Sequence, residues 1–193
     1  LEGAPVGGIA DTEQAIAATL IQAGVHLRFL HADTEEHVYT RYRFDHAKYL
    51  VVDGTTLVLT SGNWALTGVP VNPTYGNREW GVVIRDAQLA QYFTDVFTVD
   101  FDPSRCDSAS IEAMNFTAVS PILPSSNIPT GHYHPQFHII PVHESSRITP
   151  ILSPDTSEML VLQALQNATR SIYIQQLEMS LDWEGVENPF VTV

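Results

Sequence analysis

Between His46 and Asn63 the chain reads HAKYLVVDGTTLVLTSGN, two β-rich apolar runs joined by Asp53-Gly54. Asp-Gly is a two-residue turn signal, and with an apolar run on each side it makes this stretch a β-hairpin. No other part of the sequence restricts the fold as much. With Phe44 to Val52 extended, as its aromatic and β-branched content predicts, His46 and Lys48 leave one face of a strand, and Ser61 and Asn63 share a face on the returning one. A single hairpin then presents an imidazole, an ammonium, a hydroxyl and a carboxamide. That set suits a phosphate: lysine supplies charge, serine and asparagine supply neutral donors, and histidine attacks phosphorus or moves a proton near neutral pH.

Composition sharpens the point. Lys48 is the sole lysine, the other eight basic residues being arginines. A His-x-Lys pair alone is common on solvent-facing strands, but a sequence that avoids lysine elsewhere and keeps one beside a histidine suggests a chemical reason for it. The net charge is −13, from 22 acidic and nine basic residues. A field of that sign repels nucleic acid and anionic membranes, so a phosphodiester has to be captured by a local pocket, which weighs against a non-specific nuclease. No apolar run approaches the length that spans a bilayer. The single Cys106 rules out an internal disulfide.

In chain order, the glycines and proline of residues 1–9 predict a loop. Asp11 or Thr12 caps a helix over Glu13 to Ala23, with Ala15, Ile16, Thr19, Leu20 and Ala23 at helical spacing and Gly24 as its stop. Val25 to Leu30 alternates as a strand. His26, His31 and His37 read as surface or edge histidines, since nothing at metal-site spacing accompanies them. Arg41 and Arg43 either draw in an anionic substrate or form a solvated face. After the hairpin, Trp64 to Gly76 reads as a loop over the pocket mouth, with core packing the better role for Trp64 and contact with a substrate's apolar part the alternative. Glu79 to Arg85 is a strand, and Asp86 opens a helix through Phe97 with Leu89, Ala90, Phe93 and Phe97 on one stripe. Alternating helices and strands predict an α/β layered domain.

From Asp100 to Pro150 scattered prolines and serines predict a linker or surface excursion. His132, His134 and His138, with His143 beyond, can be read as a transition-metal site. A proline-rich loop is poorly preorganised for that, and a loop folded over the site is the better reading. Ser153-Pro154-Asp155 then starts a helix to about Thr169, followed by a strand over Arg170 to Met179.

The spacing of the hairpin residues carries a resemblance. His46-x-Lys48, four residues, Asp53, six residues and Thr60-Ser61-Gly62-Asn63 are similar to the HKD motif of the phospholipase D superfamily, with Thr60 in place of its usual glycine. Asn77-Arg78-Glu79 leading into Trp80 to Ile84 resembles the family's Asn-Arg-Glu strand. Ile151 to Asp155 with Ser171 to Ile174 resembles the opening of a phospholipase D lobe. The resemblance implies a phospholipase D-like α/β/α sandwich with a mixed β-sheet, in an incomplete two-lobe arrangement: an interior piece of a longer enzyme, with the later part of lobe one in residues 1–102, a Pro/His-rich linker in 103–147 and the beginning of lobe two in 148–193. A partner motif would come from a second lobe of the same parent chain or from a homodimer.

By the same resemblance, His46 attacks phosphorus or protonates the leaving alcohol, a phosphohistidine forms and is discharged to water or an alcohol, and no metal or other cofactor takes part. Lys48, Ser61 and Asn63 bind the phosphoryl oxygens, Glu79 orients a catalytic histidine, and Asp53 is a structural turn residue. The expected substrate is a phosphodiester, phospholipid before nucleic acid. The alternatives are a metal-independent endonuclease with the same chemistry and a non-catalytic binding module.

Overall fold

A computed structural model describes residues 3, 9–32, 35–111, 114, 127–180, 182–183 and 185–191. Most of the predicted opening loop, and the prolines at 121 and 124, lie outside the described residues. The protein is α/β, with three helices and small sheets whose described pairings are all antiparallel. Two compact units divide after His138.

In the first unit, α1 spans Asp11–Gln22. Ala10 takes the N-cap position, where its N–H donates to Glu13 Oε2 at 3.3 Å. The buried positions of α1 are Ala15 and Ala17, whereas Ile16 is half exposed. The inward stripe therefore differs from the one the large side chains predicted, because small alanines permit close approach. The predicted strand over Val25 to Leu30 shrinks to β1, Phe29–Leu30.

The core of the unit is a meander of β2 (Tyr49–Val52), β3 (Thr56–Thr60) and β4 (Gly81–Arg85), in that spatial order. Asp53 and Gly54 have φ of 51° and 63°, and Thr55 N–H bonds Val52 C=O at 3.1 Å, the tight turn that Asp-Gly predicts. β2 begins five residues later than the extended run suggests. Its ladder stops near Lys48, whose C=O takes the Thr60 N–H at 3.1 Å, because Ser61 then turns away to bond Trp80 C=O at 3.0 Å. His46 and Lys48 thus precede the strand, and Ser61 and Asn63 follow β3.

Helix α2, Ala87–Asp100, is capped by Asp86, whose carboxylate accepts from Leu89 N–H at 2.7 Å. It packs on β2 and β3. Leu57, Ala90 and Phe93 are buried there, and Tyr49 meets Phe93 edge-on with ring centroids 5.2 Å apart. Burial first, then Asp100 and Asp45, push the Tyr49 phenol up to about 12. Phe97 is half exposed and instead stacks on Phe101 at 5.1 Å.

The predicted linker starts inside this unit. Strand β5, Ser108–Ala109, pairs antiparallel with β1, and Arg28 bonds both the Oγ and the C=O of Ser108. Arg41 answers neither of its two predicted uses. Its backbone N–H and Nε both donate to Asp107 Oδ2, at 2.8 and 3.0 Å, and Nη1 donates to Val99 C=O at 3.1 Å. Burial would raise the pKa of Asp107, but the bonds from Arg41 outweigh it and hold the carboxyl below its usual range. This largely buried pair fastens the segment before the hairpin to the segment after α2.

The second unit carries α3, Ser157–Gln166, and the hairpin of β6 (Asp182–Trp183) and β7 (Val186–Glu187). Thr156 precedes α3, and its Oγ1 accepts from Leu152 N–H at 3.1 Å. The helix starts later than Ser153-Pro154-Asp155 and ends before Thr169. No strand forms over residues 170–179, which are exposed throughout. Their β-branched and aromatic content sets a preference, but pairing needs a neighbouring strand, and none lies beside them among the described residues.

Candidate functional site

The end of the meander opposite the Asp53-Gly54 turn gathers the polar residues. Backbone bonds there hold Lys48 to Thr60 and Ser61 to Trp80, so the approach to β2, the exit from β3 and the approach to β4 converge. Ser61 Oγ donates to Glu79 Oε2 at 2.6 Å and accepts from Trp80 N–H at 3.1 Å. Asn77 Nδ2 reaches the other Glu79 oxygen at 3.5 Å. Lys48 Nζ donates to His46 C=O at 2.7 Å, which ties the ammonium to the backbone of the residue two before it. Burial pulls the Lys48 pKa below its ordinary value, while the carboxylates of Asp45 and Glu79 oppose the shift. The His46 imidazole and Asn63 are exposed.

Of the residues singled out in sequence, Lys48, Ser61 and Glu79 share this end, with His46 and Asn63 at its margins. Asp53 does not. It sits five residues from Lys48 along an extended segment, roughly 15 Å away at the rise of a strand, and its positive φ fits the turn role.

Three further contributors stand inside the motif stretches but were given no role from the sequence. Thr60 Oγ1 accepts from Gly62 N–H at 3.2 Å and donates to Trp80 C=O at 3.3 Å, so the hydroxyl at the position of the missing glycine braces the backbone. Gly62 is buried, and a Cβ there would lie 2.9 Å from Gly68 C=O and 3.1 Å from Glu79 Cγ. Asn77 N–H bonds Thr67 C=O at 2.8 Å, which fixes the loop after Asn63 against the approach to β4.

Trp64 departs from its predicted core role: it is 64% exposed. With Leu50, Ala65, Leu66, Val69 and Val71 it lines an open groove of about 620 Å³. The segment around His134 does fold toward the site. Arg78 donates to Tyr133 Oη at 2.9 Å, its guanidinium lies 5.1 Å from the Tyr133 ring and 5.3 Å from that of Phe137, and Gly131 N–H bonds Thr74 Oγ1 at 3.1 Å. Among the described residues no group of three or more His, Cys, Asp or Glu side chains is placed to hold a metal ion.

The polar end of the meander and the groove beside it fall within residues 5–101, half of the chain, which match the family described as Cardiolipin synthase, PLD-like domain. The chain belongs to the phospholipase D superfamily. No curated protein and no solved structure matches it. Membership brings phosphodiester hydrolysis or phosphatidyl transfer as the general class of chemistry. Among the described residues of this phospholipase D-like protein, no helix is long and apolar enough to cross a membrane.

Proposed function

We propose that His46, Lys48, Ser61, Asn63 and Glu79 form one half of a phospholipase D active site that acts on phospholipids through a phosphohistidine. The observation that carries this reading is the convergence of Lys48, Ser61 and Glu79 at one end of the meander, beside an exposed His46. The His46 imidazole forms an N–P bond as the bond from phosphorus to the leaving oxygen breaks, and a histidine of a second motif gives that oxygen its proton. Water or an alcohol then attacks phosphorus, the N–P bond breaks, and the second histidine takes the proton back. Lys48 and Asn63 offset charge on the phosphoryl oxygens without a metal. Ser61 has one proton, and Glu79 holds it; Ser61 donates to a phosphate only after turning from Glu79.

The sole lysine means that any second His-x-Lys comes from outside these 193 residues. It belongs to a second lobe of the parent chain, which residues 148–193 begin, or to a second copy of the protein. The acidic surface and the apolar groove favour lipid over nucleic acid. Endonuclease activity is the second reading, favoured only by the shared chemistry.

Rapid acid-free quenching during turnover of a phosphodiester, followed by peptide mass analysis, tests the reading. A phosphoryl adduct on the peptide carrying His46 supports it. An adduct on a different residue, or burst kinetics with an unmodified His46 peptide, contradicts it.

A further inference from the structure

Residues 64–77, WALTGVPVNPTYGN, contain no charged side chain in a chain of net charge −13. The large apolar side chains from Trp64 to Val71 do not serve the core: Trp64, Leu66, Val69 and Val71 are exposed, Val71 to 73%. Exposed apolar side chains that cluster around a groove mark a contact surface.

The loop is also held rigidly to the candidate site. Ala65 N–H bonds Asn63 C=O at 2.8 Å, Gly68 and Val69 N–H both bond Ala65 C=O, and a Cβ on Gly68 would collide with the Asn63 backbone. On the other side the groove is bounded by Leu50, two residues beyond Lys48. Through Asn63, next to Trp64, and Leu50, two residues from Lys48, the apolar groove adjoins the end of the meander that carries the candidate phosphate ligands.

We infer that the Trp64–Val71 loop is the seat of a zwitterionic lipid surface, taking the acyl region of the molecule whose phosphodiester reaches Lys48. The inference rests on the proposed function for its orientation. The choice of lipid comes from charge. An uncharged loop on an acidic protein gains nothing from an anionic bilayer and is repelled by one, whereas burial of tryptophan and valine in a net-neutral interface is opposed by no such field. Tryptophan suits the depth of such contact, its ring being apolar with one polar edge.

The test is sedimentation of the full chain with phosphatidylcholine vesicles and, separately, with phosphatidylglycerol vesicles. The wild-type chain should bind phosphatidylcholine more strongly, and Trp64→Ser and Val71→Ser should each weaken that binding about tenfold, since the transfer of one such side chain is worth about that factor. Both side chains are exposed, so thermal midpoints close to wild type separate lost docking from lost folding. His46→Asn should bind vesicles as the wild type does, so failed chemistry and failed docking give different results. Absence of binding to phosphatidylcholine, equal binding by the substituted chains, or preference for phosphatidylglycerol overturns the inference.

Discussion

Ser61 Oγ donates its proton to Glu79 Oε2 at 2.6 Å, a short charge-assisted bond that joins the exit of β3 to the approach of β4. Replacing Glu79 with Gln keeps the shape and removes the charge. We predict a loss of about 1 kcal/mol in stability, the value of one hydrogen bond to a charged group discounted for partial exposure. Turnover should fall by less than on loss of His46, because no reacting group is deleted. Thermal melts beside steady-state rates check this, and a Gln variant more damaged in rate than His46→Asn would contradict it.

Gly62 tests how tightly the same corner is packed. A methyl group there meets Gly68 C=O at 2.9 Å and Glu79 Cγ at 3.1 Å. Gly62→Ala should cost about 1–3 kcal/mol, the usual penalty for overpacking, and should shift Asn63 and Glu79 together. A chemical denaturation series measures the cost; an unchanged midpoint would show that the loop yields freely.

The hairpin was legible in the sequence because Asp53-Gly54 fixes a local geometry that distant contacts need not supply. The same holds for α2, where Asp86 is a side-chain cap and Ala90 and Phe93 keep helical spacing. The α/β class and the phospholipase D family followed from these elements and from the motif. The exact placement of His46 was not legible, since where a ladder stops depends on Ser61 leaving for Trp80, a non-local bond. Trp64 was misassigned because tryptophan is buried on average, and only the fold reveals that its loop bends outward from Asn63. Arg41 was assigned to substrate or solvent for a similar reason: its partner Asp107 lies 66 residues away in sequence. Nothing in the β-rich composition of Arg170 to Met179 indicates that a strand-forming segment has no neighbour to pair with.

Lys48 should give a pH signature. Burial lowers its pKa from 10.5 against the pull of Asp45 and Glu79. Between the folded-state value and 10.5 the unfolded chain carries the extra proton, so stability rises with pH across that window while the ammonium proposed to bind phosphate is lost. Affinity for inorganic phosphate should therefore fall before the pH at which a free lysine titrates. Lys48→Arg, charged throughout, should show no such fall. Phosphorus NMR titration of both proteins decides; parallel curves would contradict the assignment.

The proposed phosphate site uses cationic and neutral donors, so activity of the assembled two-motif enzyme should survive a chelator. Loss of turnover in EDTA with rescue by a divalent ion would instead direct attention to His132, His134 and His138.

In the proposed site the end of the hairpin bearing His46 and Lys48 does the chemistry and the Asp53 turn does not. The most direct measurement is turnover beside thermal midpoint for His46→Asn, Lys48→Met and Asp53→Asn in the assembled enzyme. His46→Asn and Lys48→Met should each remove most turnover with little change in midpoint, since the His46 side chain is exposed and Lys48 is only partly covered. Asp53→Asn should keep most of the rate and lose at most about 1 kcal/mol of stability at the turn. Near-normal turnover by His46→Asn, with Asp53→Asn the least active of the three, would contradict the account and leave the hairpin a structural feature whose spacing is coincidental.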